Sequence, residues 1–253
     1  MRRELRLTLG ATLAISLVIE ILLVPAILFW PRFEDKLEVL SSLAPIQVLK
    51  DQLSYIEQTG VAGYVLAQHF FKVCSSLGVL AAALLAAPAV AGHAMRGTLE
   101  LVLARPISRP RMLLERWLLG AFALCAPVFL TTLTIPPLVE RVGESLDQVP
   151  LALCALHQTL FLLAIYSLGF LGSCLSRNPW LVAGAVLFGG LLQFALYMVE
   201  TATQWSLFRL SDVPTYIDVY QRGALDPKLW IPMAATSLIS LGLSLVAFAR
   251  RVP

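Results

Sequence analysis

Residues 7–30 read LTLGATLAISLVIEILLVPAILFW, about 24 positions with a single ionisable side chain, Glu20. As a helix rising 1.5 Å per residue, this run is long enough to cross the ~30 Å hydrocarbon layer of a bilayer. Five further runs pass the same test, at about 70–91, 117–137, 151–175, 180–199 and 229–249. The bulk composition agrees: 58% of residues are hydrophobic and 14% charged, where soluble domains carry about 25% charged residues. A disordered chain, a collagen-like fibre and a small disulfide-stapled secreted domain are excluded. The chain reads as an all-α, polytopic membrane protein, one domain over residues 1–253 with six transmembrane helices. Trp30, Trp117, Trp180 and Trp230 stand near span ends, where amphipathic rings suit the headgroup boundary.

Lys and Arg beside the spans set the orientation, because short cytoplasmic loops are enriched in them. With the N-terminus inside, the inner segments hold eleven arginines: Arg2, Arg3, Arg6, Arg96, Arg105, Arg109, Arg111, Arg116, Arg177, Arg250 and Arg251. Only Glu4, Glu100 and Glu115 oppose them, and the outer segments are net acidic. Both termini are therefore expected to be cytoplasmic. The start Arg2-Arg3-Glu4-Leu5-Arg6 is not read as a cleaved signal, because the apolar run after it exceeds the 7–15 residues of a signal core and no small-x-small site follows. Cys74, Cys125, Cys154 and Cys174 fall in or beside spans without metal-like spacing and read as small packing residues.

The first outer loop, 31–69, breaks around Pro45. Ile46, Leu49, Leu53 and Ile56 then recur at helical spacing, which predicts an amphipathic helix on the outer surface or capping the bundle; a sensing role stands beside that reading. The last outer loop, about 200–228, interleaves Trp205, Phe208, Tyr216 and Tyr220 with charges. These rings read as interfacial anchors, with a gate over a substrate exit as the other reading. On the inner side, 176–179 is a tight turn, whereas 92–116 is the one loop large enough to meet a partner protein.

No enzyme motif is visible. None of the fifteen glycines precedes a lysine, so the phosphate loop of nucleotide hydrolases is missing. His69, His93 and His157 are scattered, which excludes a His-Glu-x-x-His zinc site, and no Gly-x-Ser-x-Gly elbow occurs. No catalytic residue, metal site or nucleic-acid partner is expected. A membrane enzyme with less regular motifs, and a structural or regulatory membrane protein, remain the alternatives.

The inner loop reads GHAMRGTLELVLARPISR over 92–109. Gly97-Thr98-Leu99-Glu100, then Arg105-Pro106-Ile107-Ser108-Arg109 and Arg116, resemble the loop after the second span in type-2 ABC transporter permeases. The chain departs from that pattern at His93, where relatives carry an acid, and at Glu115-Arg116, where they carry Gly-Lys. The resemblance implies a homodimer or heterodimer of permeases in the cell membrane, usually exporting a substrate. It further implies a separate ATP-binding subunit, which would hold ATP and Mg while this chain holds no cofactor. Coupling to that subunit is expected through Gly97, Thr98, Leu99, Glu100, Arg105, Pro106, Ser108 and Arg109. Thr98 can cap a short helix from Glu100 that Pro106 ends. Leu99, Val102 and Leu103 would then enter an apolar cleft on the partner while Arg105 and Arg109 meet acids at its rim. The competing reading is an amphipathic segment resting on anionic headgroups.

Inside the membrane, Glu20 costs about 2.5 kcal/mol or more at the centre of a span and so should face the bundle interior. Pro25 frees the Ile21 carbonyl beside it. Glu20 and, in the fifth span, Gln193 are the candidate residues of a substrate path. The other reading of Glu20 is a structural carboxyl bonded to Gln193 or Thr132. Thr131, Thr132 and Thr134 read as interhelical glue, and Gly184, Gly189 and Gly190 as a face for close helix approach, to a second copy or within the chain.

Overall fold

The computed structural model describes residues 2–100 and 107–250, and the described residues are helical with no strand. Among the described residues, six helices are long and apolar enough to cross a membrane. They are α1 (Arg2–Leu28), α5 (Val61–Ala86), α7 (Arg109–Thr132), α9 (Gln148–Leu175), α10 (Pro179–Met198) and α12 (Pro227–Ala249). Shorter helices fill the connections: α2 (Trp30–Glu34), α3 (Leu37–Leu43) and α4 (Gln47–Thr59) before α5, α6 (Ala91–Met95) after it, α8 (Ile135–Val139) after α7, and α11 (Val213–Arg222) before α12.

The pattern of each span states its environment. In α1, Ile19, Leu23 and Ile27 are buried, one per turn, while Leu13, Leu17 and Ile21 on the other faces are exposed. A bilayer-facing helix with one protein-facing stripe looks like this. In contrast, α9 is buried on most sides: it packs on α12, α5, α7 and α10 and forms the axis of the bundle. Its seam with α12 is closed by small polar residues, the Ser167 and Ser237 hydroxyls lying 2.9 Å apart. Trp117 on α7 donates to Ser167 from the opposite side over 3.0 Å. Such hydrogen bonds hold helices together where lipid removes the hydrophobic incentive to associate.

Two elements depart from the sequence expectation. The second span begins at Val61, where Gly60 at φ +62° turns the chain out of α4, and so about nine residues before the apolar run. Within it, Leu66–Cys74 is wound as a π-helix, a form that disturbs the regular ladder and is found mostly as short bulges. The outer amphipathic helix forms as α4, with Leu53 and Ile56 buried but Ile46 and Leu49 left exposed. Trp30, expected at the headgroup boundary, is 1% exposed and stacks within an aromatic group with Tyr64 and Phe33.

The last outer loop also turns inward. Phe208 sits among Phe71, Phe161 and Phe194, and Tyr216 is fully buried on the ring of Phe70 at 5.2 Å. Trp205 alone of the four aromatic residues singled out in this loop is widely exposed. The segment therefore caps one end of the bundle between α5, α9 and α10.

Candidate functional site

The inner loop rises from a base tied to two spans. Where α5 ends, the Ser173 hydroxyl on α9 accepts from the Val90 and Ala91 amides, each at 3.0 Å, and donates to the Ala87 carbonyl at 2.7 Å. The Arg116 guanidinium on α7 donates to the Ala89 carbonyl of the same break. These bonds satisfy the backbone groups that a helix end leaves open, and they fasten the loop to α9 and α7 at once.

Above this base α6 leads into a tight turn. Gly97 adopts φ +66°, a left-handed conformation that costs little only in glycine. The Thr98 amide donates to the His93 carbonyl at 3.0 Å, and the Thr98 hydroxyl lies 3.0 Å from His93 Nδ1. His93, at the position where the resemblance expects an acid, thus contacts Thr98. Leu99 and Glu100 are helical, consistent with Thr98 standing at the helix start.

The predicted coupling residues divide. Gly97, Glu100 and Ser108 are exposed, with Met95, Arg96 and Ile107 beside them in the sequence and also exposed. Leu99 is 7% exposed and belongs to the chain's own core, so it anchors the loop instead of entering a partner. Arg109 is half-buried and donates to the Ala249 carbonyl at 3.1 Å, clasping the end of α12. Arg105 and Pro106 lie outside the described residues, as do Val102 and Leu103. The turn is thus presented on a base joined to α7, α9 and α12.

The two residues proposed for a substrate path have separate partners. Glu20 Oε1 accepts from the Thr134 hydroxyl at 2.8 Å, two residues beyond the Thr132 considered from sequence. Thr132 instead donates to Val128 O at 2.6 Å and lies 3.3 Å from His69 Nε2. Gln193 accepts from the Leu207 amide at 2.8 Å through its side chain, and from the Ser206 hydroxyl at 2.7 Å through its carbonyl. It holds the outer segment at the end of α10. Gly190 meets Val79 of α5 at close range, whereas Gly184 and Gly189 face open space, so the small-residue face serves both internal approach and an unoccupied surface.

A buried polar cluster went unforeseen. On α9, the Gln158 side-chain oxygen accepts from the hydroxyls of Ser211 (2.9 Å) and Tyr216, while its nitrogen donates to Ser75 on α5 at 3.3 Å. The neighbouring His157 lies 2.7 Å from the Leu210 carbonyl, which its Nε2 reaches as donor. Adjacent His and Gln within a fourth span was the available signal, since polar side chains in a span need internal partners. Nearby, Asp212 caps α11 by accepting from the Thr215 amide at 3.0 Å. Burial pushes its carboxyl above the usual value despite the opposing Thr215 bonds and the Arg209 charge.

No curated protein matches the chain. Residues 16–206, which contain the first five spans from Ser16 onward and the whole inner loop, match the family described as ABC-2 family transporter protein. The match covers well over half of the chain. The protein therefore belongs to the ABC-2 type transporter permeases.

Proposed function

We propose that this membrane permease is an exporter subunit driven by a separate ATP-binding subunit docked beneath the loop 97–109. The observation that carries this reading is the pinned base of the loop, in which Ser173, Arg116 and Arg109 join it to α9, α7 and α12. ATP, with Mg, binds on the partner, and closure of two partner subunits presses on the exposed turn at Gly97, Glu100 and Ser108. The push reaches α7 and α9 as a rigid displacement, because the bonds at the base leave little slack. A second permease copy, identical or related, completes the passage in the cell membrane. Both termini face the cytoplasm, in keeping with the arginine-rich inner segments. Glu20 and Gln193 lie along the route, Glu20 as the carboxyl within the first span and Gln193 as the hold on the outer segment.

The test is capture of the tagged chain from its native membrane in mild detergent, followed by mass spectrometry. An ATP-binding subunit should accompany the wild type and be lost when 97–109 is scrambled, while Glu100→Ala weakens its retention. A well-folded chain that brings down no such subunit overturns the proposal.

A further inference from the structure

The parallel spans α9 and α12 are closed along their middle by Ser167 and Ser237. At the ends that carry Arg177 and Arg250 lies a groove of about 680 Å³, lined by Leu171, Leu175, Leu243 and Val246 together with the two arginines. Leu175 is 69% exposed and Leu243 52%, so this wall is open to its surroundings.

Among the described residues, the Arg177 and Arg250 side chains have no partner, unlike their neighbours. Arg111 pairs with Glu115 at 3.0 Å, Arg222 pairs with Asp218, and Arg109 already serves the Ala249 carbonyl. Arg177 and Arg250 make no ion pair and no side-chain hydrogen bond among the described residues. Of the inner acids whose side chains are described, Glu115 is engaged and Glu100 belongs to the coupling turn. The groove therefore joins two positive charges that no described residue pairs to an apolar wall that runs into the membrane.

We propose that this groove holds an anionic phospholipid of the inner leaflet, with its phosphate at Arg177 and Arg250 and its acyl chain along Leu171, Leu175, Leu243 and Val246. Basic clefts between spans on the cytoplasmic side suit such headgroups. The proposal rests on the sidedness given above. A second identical copy fits less well: a two-fold contact here brings the same arginines face to face, and like charges juxtaposed at an interface oppose association. The ATP-binding subunit fits less well too, because the wall is made of span residues at membrane depth.

The purified full-length chain, offered equal phosphatidylglycerol and phosphatidylcholine of the same acyl length, is read by native mass spectrometry. Two arginines acting on the headgroup should favour phosphatidylglycerol by roughly thirtyfold, falling to near parity in R177Q/R250Q. Leu243→Trp, which fills the groove and keeps both charges, should also release the lipid. Three results overturn the proposal: no preference in the wild type, full preference in either variant, or displacement of the lipid by soluble glycerol phosphate. A loss of dimer in R177Q/R250Q with lipid retention unchanged points to a protein contact and overturns it as well. An impermeant maleimide applied to intact cells tests sidedness separately, through Arg250→Cys: labelling from outside defeats the leaflet assignment and the topology together. Lipid preference without any captured ATP-binding subunit defeats only the transport reading.

Discussion

The Thr134 hydroxyl donates to Glu20 across 2.8 Å, joining the first span to the C-terminal end of the third. Between-span bonds of this kind are worth on average about 0.6 kcal/mol and at most about 1.7 kcal/mol in membrane proteins. A double-mutant cycle of Glu20→Ala and Thr134→Val, read by thermal unfolding in detergent, should return a coupling in that range. Glu20→Gln keeps an acceptor oxygen and removes the titratable carboxyl. It should preserve the melting temperature and slow transport by the reconstituted complex; unchanged transport would assign Glu20 a structural role alone.

Ser173→Ala removes the shared partner of two buried amides and one carbonyl. A buried donor without an acceptor costs about 1–3 kcal/mol. The variant should melt earlier, with faster amide exchange concentrated at Val90 and Ala91. Retention of the ATP-binding subunit should fall less than on scrambling the turn itself, because the exposed residues remain.

Gly120 on α7 faces Tyr166 of α9, and a Cβ there would lie 2.7 Å from the ring carbon Cζ. The ring is buried, and its hydroxyl donates to the Trp117 carbonyl at 3.3 Å, so it cannot swing away freely. Gly120→Ala should cost about 1–3 kcal/mol as overpacking. Tyr166→Phe in the same chain should recover part of the loss, since it removes the atom nearest the added methyl group.

Asp212 carries a pH signature. Its native carboxyl binds a proton more readily than the unfolded one, because burial raises its value above 3.8. The native state therefore gains relative to the unfolded state as pH falls through the raised value towards 3.8, and loses that gain as pH rises again. Exchange protection of α11, corrected for intrinsic rate, should increase over that window in the wild type and stay flat in Asp212→Asn.

The spans were legible because apolar length is a property of the chain itself. The start of the second span was not, since 61–69 includes Gly63, Tyr64, Gln68 and His69. Hydropathy registers affinity for lipid, and His69 is fully buried against protein, with Thr132 and Phe70 around it. The same limit hid Gln158, whose partners lie more than fifty residues away in Ser211 and Tyr216. The motif gave Thr98 as a helix start, and Leu99 and Glu100 are helical, but it did not give the turn that Gly97 makes at positive φ. What the motif does not carry is which way Leu99 points, because an apolar residue in a loop states a preference for burial and not the surface that provides it. Ser173, a lone hydroxyl near the end of a span, gave no sign of the three backbone groups it holds.

The turn between the fourth and fifth spans is only Ser176 to Asn178, where the Asn178 amide donates to the Ser176 hydroxyl at 3.0 Å and the Asn178 side chain receives the Trp180 amide at 2.9 Å. Its consequence is one of order in time. Three residues reach at most about 11 Å, so the ribosome delivers the two spans as a single hairpin. Gln158 enters the bilayer with Ser75 already made but before Ser211 and Tyr216 exist, and His157 before the Leu210 carbonyl; these later partners all come in the stretch 206–216, made after the hairpin.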